Sequence, residues 1–119
     1  MRPPTRSMLS DTERDALEDI RDNIARAMRF VDGFDLDGFV ADDKTFYAAT
    51  RCLEIISEAS RRLPSTFKDR FPEIPWKQVA GSGSIYRHNY ENVQELRIWK
   101  TIHEALPPLR AVVDVELRE

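Results

Sequence analysis

Five consecutive residues, Tyr86-Arg87-His88-Asn89-Tyr90, put a guanidinium, an imidazole and two phenols side by side. Guanidinium grips phosphate oxygens through a rigid fork, and imidazole moves a proton near neutral pH. Together they suit RNA cleavage without a metal. His88 would shift the 2′-hydroxyl or leaving-group proton while Arg87 stabilises the crowded phosphorane. A second reading stays open on the residues alone, because a histidine near a helix end is often a cap or a surface group. A metal site is not expected, and neither is a cofactor: the chain holds two histidines fifteen positions apart and one cysteine, with no HExxH or CxxC spacing.

Other polar groups can support such a site. Arg51, Glu54 and Glu58 fall on one strip beside an apolar helical stripe, so Arg51 can pair with either carboxylate, and a carboxylate there can orient a histidine on another helix. The alternative is an exposed ion pair of little energetic weight. Just before the motif, Gly81-Ser82-Gly83-Ser84 lets another backbone come close. A phosphate loop is the competing reading of that tetrad, but it lacks the lysine and the preceding strand of a P-loop.

The elements that must position these groups read as helices. Ser10 with Glu13 makes a capping box, and Leu17, Ile20, Ile24, Met28 and Val31 form one apolar stripe that ends near Gly33. Residues 34–42 are too short and glycine-interrupted for more than a turn. Asp42 caps a helix whose apolar face is Phe46, Ala49, Cys52, Leu53, Ile56, Ala59 and Leu63, and Pro64-Ser65 stops it. Pro75 starts a further helix in which Trp76, Val79, Ala80 and Ile85 point inward. Asn92 with Glu95 forms a second capping box before Leu96, Trp99, Ile102, His103 and Leu106, and Pro107-Pro108 should kink or break that helix. His103, one turn after Trp99, reads as a packing or surface histidine. The expected fold is all-α: an up-and-down bundle of about four main helices plus short turns, with residues 1–9 as a disordered tail and residues 10–119 as a single helical domain.

Composition narrows the function classes. The 119 residues are 33% charged and 41% apolar with four glycines, the profile of a soluble helical domain large enough to need no staple. Neither a membrane-spanning run nor a signal peptide is visible, and with the lone Cys52 on an apolar face this predicts a cytoplasmic protein with an inert buried thiol. The net charge of −3 argues against a protein that coats nucleic acid. A confined basic site remains open, since Lys77, Arg87, Arg97 and Lys100 gather in the C-terminal third.

The series Arg51 to Ala59, Ile74-Pro75-Trp76-Lys77-Gln78-Val79-Ala80-Gly81, His88-Asn89-Tyr90, and Trp99 with Leu106-Pro107 resembles the HepT-like toxins of the HEPN superfamily, over nearly everything after the tail. The resemblance implies a small helical homodimer that cleaves RNA without a metal through an Arg-x4-6-His-x-Tyr motif, beside a minimal nucleotidyltransferase antitoxin. The motif's histidine and tyrosine match His88 and Tyr90. Its arginine position falls on Gly83 and the polar residue after it on Ser84, so Arg87 is the nearby guanidinium. The resemblance further implies that the antitoxin transfers AMP to the motif tyrosine, Tyr90, with Tyr86 as a second acceptor. The added negative charge would then repel RNA phosphate. The alternative that Gly83 raises is a non-catalytic dimeric module that keeps the nucleotidyltransferase partner after losing the motif arginine.

Overall fold

Ser10 opens the first helix as its sequence predicts: its hydroxyl accepts the Glu13 amide at 3.0 Å, and the Glu13 carboxylate accepts the Ser10 amide at 2.8 Å. In the computed structural model of the chain, which describes residues 9–83 and 93–118, this helix, α1, runs Asp11–Val31. Its stripe of Leu17, Ile20 and Ile24 is fully buried. The helix ends because Gly33 takes the left-handed conformation, φ 84°, that lets a chain leave a helix without a Cβ clash.

Two aspartates start the next elements. The Asp35 carboxylate accepts the Gly38 amide at 2.8 Å, so the stretch expected to be a mere turn closes into a short helix, α2 (Leu36–Ala41), with Phe39 buried beneath it. Asp42 accepts the Thr45 amide at 3.2 Å and begins α3 (Asp43–Arg61). Leu53 and Ile56 of α3 meet the α1 stripe with no exposure, each contributing about 1.5–3 kcal/mol of burial. The two helices are antiparallel: Arg62, just past α3, reaches Asp19 in the first half of α1 at 2.7 Å, while Cys52 in mid-α3 feels the charges of Arg26 and Arg29 nearer the end of α1.

Beyond Pro64 the chain makes one turn of helix, α4 (Ser65–Lys68), and then α5 (Trp76–Gly81), for which Pro75 is the residue before the first turn. Phe67 and Val79 are buried, and the Trp76 indole donates to the Phe71 carbonyl at 3.0 Å. The third long element runs helically from Val93 to Leu117: α6 (Val93–Lys100), a π-helical turn (Thr101–Ala105) and α7 (Leu106–Leu117). Pro107-Pro108 does not interrupt it. In the π turn the Leu106 amide bonds the Thr101 carbonyl five residues back, which places both prolines in the first turn of α7, where an amide would lack an intrahelical partner.

Ile98, Ile102, Leu106, Leu109 and Val113 face the core from this third element. Phe39 packs on Trp99 with ring centroids 5.3 Å apart. At the far end Arg70 bonds Glu116 at 3.1 Å. The result is an all-α bundle, and among the described residues there is no strand. None of its helices is long and apolar enough to cross a membrane, again among the described residues. Leu9 packs against the core, and residues 1–8 lie outside the described residues. So do Ile85, Asn92 of the second capping box, and the motif residues Tyr86, Arg87, His88 and Tyr90.

Candidate functional site

The C-terminal end of α5 is the platform from which the motif segment departs. A helix end leaves its last carbonyls without intrahelical donors. Here those carbonyls are taken by side chains from two other helices. The Ala80 carbonyl accepts from the Ser57 hydroxyl and from the Arg61 guanidinium, the latter at 2.6 Å, both on α3. The Gly81 carbonyl accepts from Arg97 of α6 at 2.9 Å. Ser82, nearly fully buried, turns its hydroxyl back to the Val79 carbonyl at 2.7 Å.

Gly83 then lies directly on α3. A Cβ there would stand 2.9 Å from the Glu54 Cα and 3.1 Å from the Ser57 Cβ. This is the close backbone approach that the glycine-serine tetrad suggests, and it falls at the position where the resembled motif has its arginine. By contrast, a Cβ at Gly81 would meet nothing within 4 Å. The described residues resume at Val93, the first residue of α6, so in the chain residues 84–92 follow the end of α5 and precede α6.

Of the supporting groups expected from sequence, Glu54 sits at this crossing. Arg51 pairs with Glu54 at 3.2 Å, one turn along α3, and not with Glu58. Their side chains are 71% and 43% exposed, which makes the pair worth only a fraction of a kcal/mol, about 0.2–0.5. Glu58 is exposed and forms no ion pair among the described residues. The catalytic candidates His88, Arg87 and Tyr90 and the modification candidates Tyr90 and Tyr86 lie outside the described residues.

Sequence reading missed Ser57, Arg61 and Arg97 as the groups that hold the platform. The signal for Ser57 was its place on the inner face of α3, where it and Ser60 are buried among Leu53, Ile56 and Ala59. A small hydroxyl on an apolar stripe marks a spot where another backbone comes close and offers a carbonyl. Arg61 and Arg97 carried no such mark, since an arginine on a helix surface is ordinary.

The remaining titratable groups have structural surroundings. His103, exposed, bonds the Trp99 carbonyl through Nδ1 at 2.8 Å and lies 4.1 Å from the Trp99 ring, in keeping with the expected packing or surface histidine. Cys52 is buried, and desolvation pushes its thiol above the ordinary value of 9.0 despite Arg26, Arg29 and Arg51 nearby. Among the described residues, no three of the His, Cys, Asp and Glu side chains gather closely enough to hold a metal ion.

The family model described as ribonuclease HepT-like matches residues 20–116. The chain is 38% identical to a Thermococcus cleftensis protein named "Probable ribonuclease HepT", over 83% of this chain and 90% of the relative. It is 35% identical to a Caldanaerobacter subterraneus protein named as a "Putative RNase", over 86% and 91% of the two chains. A Methanocaldococcus jannaschii protein, likewise named as a "Putative RNase", is 32% identical over 83% and 91%. No solved structure matches the chain significantly.

Proposed function

The chain belongs to the ribonuclease HepT-like family, and from that premise we propose that it is a metal-independent endoribonuclease acting as a homodimer, the toxin of a pair whose antitoxin is a nucleotidyltransferase. The observation that carries the reading is the position of His88-x-Tyr90 in the chain: His88 comes five residues after Gly83, past the end of α5 that α3 and α6 grip and before α6 opens at Val93.

In this proposal His88 removes the proton from a ribose 2′-hydroxyl. The 2′-oxygen attacks the adjacent phosphorus, the bond to the 5′-oxygen breaks, and that oxygen takes a proton from water while protonated His88 gives its own proton back to solvent. The products are a 2′,3′-cyclic phosphate and a 5′-hydroxyl. Arg87 stabilises the added charge on the phosphorane, and Tyr90 positions the strand. Regulation follows from the same tyrosine: transfer of AMP from ATP to the Tyr90 oxygen, with release of pyrophosphate, places a negative phosphodiester where RNA phosphate would sit, and Tyr86 is the second acceptor.

The test is cleavage of single-stranded RNA by the purified protein in EDTA. Cyclic phosphate ends are expected, and His88→Ala should abolish activity because no other group titrating near neutral pH lies in the motif. Cleavage by His88→Ala at the parent's rate would refute the assignment. One observation favours a second reading, a non-catalytic dimeric module: Gly83 packs on the α3 backbone, leaving no room for the motif arginine. A silent parent that still binds its nucleotidyltransferase would decide for that reading.

A further inference from the structure

Between α5 and the third long element lies an open groove of about 540 Å³. Three cations line it, Lys77 from α5 and Arg97 and Lys100 from α6, against one carboxylate, Glu104. This concentration of positive charge sits on a protein whose net charge is −3. Lys77 and Lys100 are exposed, and among the described residues neither forms an ion pair, whereas Arg97 is fixed by the Gly81 carbonyl at 2.9 Å. Leu96, 41% exposed, adds an apolar wall.

We infer that this groove binds the phosphodiester backbone of single-stranded RNA on one side of the cleaved bond. The inference rests on the ribonuclease reading, and it names where the strand runs. The groove's two walls, α5 and α6, are the elements that flank residues 84–92 in the chain, which makes it the described basic surface nearest to the motif in sequence. Lys77 and Lys100 supply mobile ammonium groups that follow a flexible backbone. Arg97 gives a fixed charge in the same groove, and Leu96 offers a contact for a ribose or base face. Single strands suit such a combination of charged groove and apolar wall better than duplex RNA, which presents its phosphates on a rigid convex surface.

The test uses the full chain and a labelled 2′-O-methyl RNA of about 12 nucleotides, whose blocked hydroxyls allow binding without cleavage. Each phosphate contact contributes a slope of about 0.7 in log K against log salt for single strands, hence about 5-fold at ~0.1 M salt. Lys77→Gln with Lys100→Gln should therefore weaken binding about 25-fold and flatten the slope by about 1.4. A charge-matched control, Arg21→Gln with Lys44→Gln, should leave both unchanged. Equal losses in the two double variants, or a parent that does not bind the RNA, would overturn the inference. So would displacement of the RNA by polyglutamate of equal length and concentration, since the groove would then select charge and not a nucleic acid strand. Cleavage assays on the same proteins separate this outcome from failure of the ribonuclease reading: if the parent cuts RNA while the lysine variants bind like the control, only the groove assignment falls.

Discussion

Replacing each of the two glycines at the platform with alanine should have opposite effects. A Cβ at position 83 would come within 2.9 Å of the Glu54 Cα, a contact with backbone that cannot rotate away, and within 3.1 Å of the Ser57 Cβ. Overpacking of this kind costs about 1–3 kcal/mol, from which the reduced freedom of the unfolded chain recovers about 0.4–1. Gly83→Ala should thus destabilise by about 1–2 kcal/mol. At position 81 the same Cβ meets nothing within 4 Å and the residue closes α5, so Gly81→Ala should stabilise by about 0.5 kcal/mol. The gap of about 2 kcal/mol corresponds to about 8 °C in Tm for a domain of this size. Thermal unfolding followed by circular dichroism at equal protein concentration reads it directly. If Gly83→Ala melts at or above Gly81→Ala, the packing of Gly83 on α3 is wrong, and the reason given for the absent motif arginine falls with it. The same contact predicts that Gly83→Arg is at least as unstable as Gly83→Ala.

Arg87→Ala should slow RNA cleavage by about one to three orders of magnitude with the fold intact, and Arg87→Lys should recover only part, because an ammonium lacks the fork; parent-like rates in both would remove Arg87 from the mechanism. Arg70→Ala should cost about 1–3 kcal/mol in urea unfolding, since Glu116, whose side chain is 6% exposed, loses its partner. Glu116→Gln on that background should recover part of the loss, and no recovery would count against the pair. Cys52 should react with a thiol reagent far more slowly in the native protein than in denaturant. Its raised pKa also has a sign: the folded state holds the thiol proton more tightly than the unfolded one, so stability is full below about 9.0 and falls as pH rises above it. A flat stability profile through that range would contradict the burial.

The sequence by itself determined the helices and most of the core, because the signals for both are local. Ser10 with Glu13, and Asp42 with Thr45, cap their helices through side chains three residues away, and the stripes of α1 and α3 recur at the helical period, so chain spacing decides which face is buried. The His88-x-Tyr90 pattern was equally legible, since it consists of neighbours. The prolines at 107 and 108 misled for the opposite reason: whether a proline breaks a helix depends on which carbonyl the preceding turn leaves free, and the π turn at Thr101–Ala105 set that register. The tertiary structure alone decided the surroundings of the platform that precedes the motif in the chain. That Gly83 abuts Glu54, that Arg61 and Arg97 take the carbonyls of Ala80 and Gly81, and that Lys77 shares a groove with Lys100 are contacts between residues far apart in the chain. No periodicity encodes such pairs, because they depend on how α3, α5 and α6 come together once their apolar faces have been buried.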